Sequence, residues 1–299
     1  MTLREAIETA PFVVTTEVGP PKGTDVSEML DTAEMLRDRV HALNVTDNQA
    51  AVMRLSTLAA CVHLKQAGHE PVLQVTCRDR NRIALQSDLL GAASFGITNV
   101  LALTGDHVAV GDHPEAQAVF DLESVQLLDV IADLNDGSDA AGNELHGVPT
   151  FLAGAVVTPG ARPLAPQMAK FAKKVRSGAS FFQTQAVFDA EEFGVFMEKA
   201  RALDTKVFAG VVVLRSARMA KFMNANIPGI DVPHHLVGEL EESTDALRTG
   251  VDIAARFIRE VRDVCDGVHI MAIGAERLVP EILDLADLDI RTTPVGDGS

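Results

Sequence analysis

The chain has 299 residues, 47% of them hydrophobic, enough for one large core, and it carries a formal net charge of -16. That charge argues against a protein that grips nucleic acid or an anionic lipid surface over a broad face, so an anionic ligand has to be met by a local basic cluster. Three scattered cysteines, Cys61, Cys77 and Cys265, without CxxC spacing fit a reduced, cytoplasmic compartment, and neither a secretory signal core nor an apolar run of membrane-spanning length is present. Tyr and Trp are absent, so any ring that stacks on a ligand must be Phe or His.

In chain order, β-branched runs alternate with longer segments of helical period. Strands are predicted over residues 12–17, 42–46, 72–77, 99–104, 150–157, 180–185, 207–213 and 268–273. Amphipathic helices are predicted over 27–39, 52–66, 83–95, 122–134, 165–176, 190–201 and 245–264. Several successive strands are spaced by about thirty residues, the length of one βαβ unit. Eight such units close into a barrel more naturally than they form an open sheet, and no GxGxxG opens a helix after the first strand. The fold class is therefore α/β, a single (β/α)8 TIM barrel forming one catalytic domain over 1–299. Its tail, RTTPVGDGS, is expected to fray from about residue 288.

Two intervals exceed a minimal unit. GDHVAVGDHPEAQAVFD follows the fourth strand and NDGSDAAGNELHG precedes the fifth; both are rich in Gly, Asp and Asn and read as loops. A barrel carries its chemistry at the C-terminal ends of the strands, so the first loop matters more. Its Asp106, His107, Asp112 and His113 resemble metal ligands only superficially, since Gly-rich turns collect such residues, and no metal is expected.

At the strand ends stand Glu17, Thr46, the stretch from Gln74 to Cys77, Asp106 and Gln185. Two carboxylates at one mouth can divide labour, one as a proton donor and one ionised to steady a cation. Equally, Glu17 can be a solvated rim residue and Asp106 a turn cap. Gln183 and Gln185 share a parity and so a strand face, which makes an inward amide either ligand-directed or satisfied by a buried partner. Arg78, Arg80 and Arg82 can meet a phosphate or a carboxylate tail, or pair internally. Cys77 lacks a His partner and is not a candidate nucleophile.

With its CRDRN, QSDLLGA, TGD and GDHP segments in this order, the chain resembles the methylenetetrahydrofolate reductase family from about residue 12 to about residue 285. The resemblance implies that Glu17 in EVGPPKG is the acid that helps open the imidazolidine ring. It likewise implies that Asp106 in LALTGD stabilises the iminium cation and that Gln185 in FQTQAVFD holds the pterin. Thr46 in NVTDN matches a threonine on the cofactor side. The implied reaction is reduction of 5,10-methylenetetrahydrofolate to 5-methyltetrahydrofolate by NAD(P)H, NADH before NADPH, in one-carbon metabolism.

Familiar members carry the hydride on a flavin, FAD or FMN. Here the sequence departs from that pattern: Gln74 replaces a histidine, Thr104 an arginine, Gly154 a tyrosine, and Ala186 and about Ala217 aromatic residues. The basic pair Lys173 and Lys174 stands where the family meets a flavin diphosphate, though it also fits an ordinary solvated helix face. Flavin-mediated and direct transfer from NAD(P)H both remain open. Two rivals stand beside the reductase: a pterin-dependent methyltransferase, disfavoured by the lack of a thiolate cluster, and a non-catalytic reductase-like partner subunit. The expected partner is a small tetrahydrofolate derivative, with neither nucleic acid nor membrane and the oligomeric state open.

Overall fold

The alternating pattern folds as its periods dictate, and a computed structural model describes residues 1–290. Helix α1 (Leu3–Thr9) precedes β1 (Val13–Val18), α2 (Ser27–Met35), β2 (Ala42–Val45), α3 (Thr57–Gln66), β3 (Pro71–Thr76) and α4 (Arg82–Ser94). Next come β4 (Asn99–Leu103), α5 (Ser124–Asn135), β5 (Leu152–Val157), α6 (Leu164–Arg176), β6 (Phe181–Ala186), α7 (Ala190–Ala200) and β7 (Lys206–Val212). Three helices, α8 (Ala217–Asn226), α9 (His234–Glu242) and α10 (Ala246–Val261), then lead to β8 (Gly267–Met271) and α11 (Val279–Leu285). All eight strands pair parallel in sequence order and β8 returns to β1, which closes a (β/α)8 TIM barrel.

The barrel interior is layered. At the bottom, Val13, Ala42, Val72, Leu101, Leu152, Phe181 and Phe208 form an apolar plug, closed from outside by Leu3 and Ala6 of α1. Phe181 and Phe208 stack with centroids 5.6 Å apart. Gly154 makes room for them: a Cβ there would lie 2.2 Å from the Phe181 ring. Above this plug the inward residues turn polar, with Thr15, Asn44, Gln74, Gln183 and His269 all buried. A polar layer under the C-terminal mouth is costly unless satisfied, and it marks the end of the barrel where ligands are handled.

The predicted strands all form, but some helices differ. The segment predicted as helix over 52–66 starts at Thr57 because Ser56 takes an extended N-cap conformation and Val52 is extended as well. Helix α1, capped by Thr2 and Glu5 in a reciprocal box, was not expected, nor were α8 and α9. Those two short helices bury Ala220, Met223, Leu236, Val237 and Leu240 against Val212, Leu214 and Ile253, covering one side of the mouth. Residues 291–299, most of the tail expected to fray, lie outside the described residues. Among the described residues no helix is long and apolar enough to cross a membrane.

Candidate active site

Glu17 ends an inward-facing row on β1, two residues above Thr15. Its Oε1 accepts a hydrogen bond from Gln74 Nε2 at 3.2 Å and lies 3.5 Å from His269 Nε2 on β8. His269 Nδ1 in turn contacts the Thr15 hydroxyl at 2.9 Å. Thr15 also accepts from Gln183 Nε2 at 3.3 Å, and Gln183 exchanges amide hydrogen bonds with Asn44 at 2.8 and 3.1 Å. Side chains from five strands thus form one satisfied buried network with a single carboxylate at its upper edge, the arrangement that holds a reactive group in one rotamer.

Above the network opens a cavity of about 410 Å³, lined by Glu17, Gln74, Asp106, Gln183, Gln185 and His269 among others. Its volume suits one small-molecule ring system. The Asp106 carboxylate and the Gln185 amide make no side-chain hydrogen bond within the described residues, whereas Gln183 spends its amide on Asn44 and Thr15. Of the two same-parity glutamines, Gln185 is therefore free for a ligand and Gln183 is structural. Gly105 places Asp106: it turns the chain at φ +89°, with a virtual Cβ 3.0 Å from Thr76 Cβ, so a side chain at that position would be both strained and crowded.

The arginine loop is internally paired. Arg78 is buried; it forms a two-pronged pair with Asp79 at 2.8 and 2.7 Å and donates to the carbonyls of Asn48 and Asp106, tying three loops together. Burial pushes the Asp79 carboxyl up, but Arg78 and Asn48 outweigh it and hold the group below its ordinary range. Arg80 pairs with Asp47 and Asp88, and Arg82 with Asp121. None of the three offers an unpaired guanidinium to a phosphate. Cys77 is buried, which pushes its thiol up to about 12 and leaves it inert at neutral pH. Asp112 is spent joining Lys22, Met53 N and His113, and no group of three metal-ligating side chains exists among the described residues.

Of the residues implied for a flavin, Gln74, Thr104 and Lys174 line the main cavity, whereas Lys173 and Thr46 do not. Lys173 is exposed on α6 and does not line the cavity, while Lys174 is buried and its ammonium donates to Val156 O at 2.7 Å. Burial, aided by nearby Lys170, lowers the Lys174 amine to about 8. Gln74 is committed to Glu17, and Thr104 to Ser124 at 3.3 Å. Thr46 opens into a different, neighbouring cavity. The pair at 173 and 174 therefore splits, because consecutive residues on a helix point about 100° apart and only one can face the barrel.

Four participants were missed from sequence: His269, Thr15, Asn44 and Asp47, the last with a carboxylate that accepts from Thr76 N and Oγ1 at 2.8 and 2.9 Å. His269 carried a usable signal, since in GVHIM it alternates with Val268 and Ile270 and so had to face the opposite side of β8, toward the interior. A second large cavity, about 510 Å³, lies at the far end of the barrel near Ser180, Lys206 and Asp266 and contains none of the expected site residues.

Comparison with known proteins bears on the family and the fold. The family model described as "Methylenetetrahydrofolate reductase" matches residues 2–287. A 5,10-methylenetetrahydrofolate reductase of Pectobacterium carotovorum subsp. carotovorum is 25% identical over 228 residues, covering 74% of this chain and 70% of that protein. The Salmonella typhimurium reductase is 27% identical over the same shares. A probable methylenetetrahydrofolate reductase (NADPH) of Caenorhabditis elegans is 26% identical over 200 residues, 65% of this chain but only 28% of its own length. Among solved structures, a Clostridium thermocellum protein described as binding two copies of 5-methyl-5,6,7,8-tetrahydrofolic acid superposes with a TM-score of 0.67 at 16% identity, covering 95% of this chain and 97% of its own. A 2,3-dimethylmalate lyase superposes at 0.52 and 11% identity, with 95% and 82% covered. These two likenesses concern the fold alone. The match of the family model over nearly the whole chain, together with the curated relatives, means that this chain belongs to the methylenetetrahydrofolate reductase family.

Proposed function

We propose that this protein reduces 5,10-methylenetetrahydrofolate to 5-methyltetrahydrofolate, with hydride passing directly from NAD(P)H to the folate. The observation that carries the reading is that Glu17, Asp106 and Gln185 line one cavity, with the Asp106 and Gln185 side chains making no hydrogen bond among the described residues. Glu17 donates a proton to N10 of the imidazolidine ring, the N10–methylene bond breaks, and its electron pair stays on N10. The methylene remains on N5 as an iminium cation, which the Asp106 carboxylate stabilises. Hydride from C4 of the dihydronicotinamide adds to that carbon, giving the methyl group and NAD(P)⁺. Gln185 holds the pterin edge by its free amide. Folate binding by the Clostridium thermocellum protein of the same fold supports a folate in this barrel. The replacements at Gln74, Thr104, Gly154 and Ala186, with Lys173 exposed away from the cavity, support direct transfer over a flavin relay.

The test is oxidation of NADH or NADPH by the purified protein as a function of added methylenetetrahydrofolate, alongside its visible spectrum. With neither Trp nor Tyr in the chain, a bound chromophore stands out. Colourless, folate-dependent turnover supports the proposal. A folded, folate-binding protein without turnover points instead to a non-catalytic relative, and an active yellow protein to a flavin.

A further inference from the structure

Beside the main cavity lies a second, of about 360 Å³, between the loops after β1 and β2 and the turn after β8; Glu17 and Gln49 line both. At its wall stands Thr46, only 3% exposed, whose hydroxyl has no hydrogen-bond partner among the described residues. A hydroxyl on a nearly buried side chain that opens to a cavity without a protein partner is available to a ligand. Carboxylates surround it. Asp25 is spent on Ser27 and Glu276 on Gly274 N, but Glu28 is exposed and makes no bond within the described residues. At the rim, among the described residues, the Arg54 guanidinium reaches only the Pro20 carbonyl, and the Arg215 guanidinium stands beside Gly274 without an ion pair.

Resting on the reductase reading above, we propose that this second chamber seats the nicotinamide riboside half of NAD(P)H while folate occupies the first, so that both substrates are bound at once on either side of Glu17. The chemistry of the walls selects this occupant. As hydride leaves, positive charge disappears from the folate iminium beside Asp106 and appears on the nicotinamide ring, so a carboxylate-lined chamber stabilises the transition state and the oxidised product. Free carboxylate and hydroxyl groups match a ribose diol, the pairing by which nucleotide sites commonly read that sugar. The diphosphate then leaves the acidic interior and meets Arg54 and Arg215 at the rim. A folate, whose carboxylate tail would cross the same acidic walls, suits this chamber less well.

Gly19 supplies a clean probe. It lines the second chamber alone, its backbone is in a region open to any residue, and a Cβ there meets nothing within 4 Å. Gly19→Leu therefore adds apolar bulk at the chamber wall with no clash at its Cβ. NADH is titrated by its own fluorescence, which a chain lacking Trp and Tyr barely perturbs. For the wild type, the NADH Kd is expected to stay within about threefold when 5-methyltetrahydrofolate is saturating, about the ratio expected of two uncoupled sites. Gly19→Leu is expected to raise the NADH Kd by about tenfold or more while folate affinity and melting temperature hold. Thr46→Val, nearly isosteric, should weaken NADH about fivefold by loss of one hydrogen bond, and serves if the leucine variant does not fold. NADH displaced in proportion to folate, folate rather than NADH lost in the variants, or two folates bound per chain with one lost in Gly19→Leu would each overturn the assignment while leaving the reductase reading intact. A wild type that oxidises no NADH with methylenetetrahydrofolate would overturn both.

Discussion

His269 Nε2 lies 3.5 Å from Glu17 Oε1 while its Nδ1 meets the Thr15 hydroxyl at 2.9 Å, so the imidazole ties the carboxylate at the mouth to the polar layer beneath. His269 lines the cavity but acts here through Glu17, which makes it a positioning residue. His269→Phe is expected to lower kcat about 10-fold to 100-fold, the scale of a misplacement by an ångström, with folate affinity held within a few-fold. Steady-state kinetics with a melting curve checks this. A folded variant with unchanged kcat would remove the positioning role.

Replacing Glu17 itself separates chemistry from binding. A proton delivered in the transition state contributes typically 10²-fold to 10⁴-fold, so Glu17→Gln should lose turnover on that scale with folate Kd nearly unchanged, the amide retaining the Gln74 contact. Comparable losses in Kd and kcat would make Glu17 a binding residue only.

Stability has its own test at Gly154. With a virtual Cβ 2.2 Å from the Phe181 ring, Gly154→Ala overpacks the apolar plug and is expected to cost about 1–3 kcal/mol, read as a lower urea midpoint at constant slope. An unchanged midpoint would mean that the plug yields freely.

Lys174 sets a pH dependence. Its amine is lowered from 10.5 to about 8 by burial first and by Lys170 second. Between those values the unfolded chain binds more protons than the folded one, so this group makes stability rise with pH across that window, and below about pH 8 its buried charge opposes folding. Lys174→Met is therefore expected to be more stable at neutral pH, by an amount on the order of 3 kcal/mol if the thioether packs, and to lack that slope. Urea unfolding of both proteins from pH 7 to 10.5 makes the comparison. Parallel pH profiles would contradict it.

Much of this was legible in the sequence because barrel strands are short apolar runs with a strict period of two, and residues at their ends are forced to the mouth. Glu17, Asp106 and Gln185 were found that way. What escaped depends on distance across the barrel. The asymmetry between Gln183 and Gln185 follows from Asn44, 139 residues away in sequence, and no local pattern reports it. Likewise CRDRNR leaves ligand binding and internal pairing equally open until Asp47, Asp79, Asp88 and Asp121 are seen to pair with its arginines. The two short helices after β7 lack a long periodic run, and α1 is only seven residues, so local pattern was weak where tertiary burial decided.

The most direct measurement of the central claim is the mass of 5-methyltetrahydrofolate formed in ordinary water from NADH deuterated at the transferred C4 position. Direct transfer predicts one deuterium retained in each new methyl group. An unlabelled methyl group, as expected when hydride passes through an exchangeable flavin N–H, or no methyl product at all, would contradict the account.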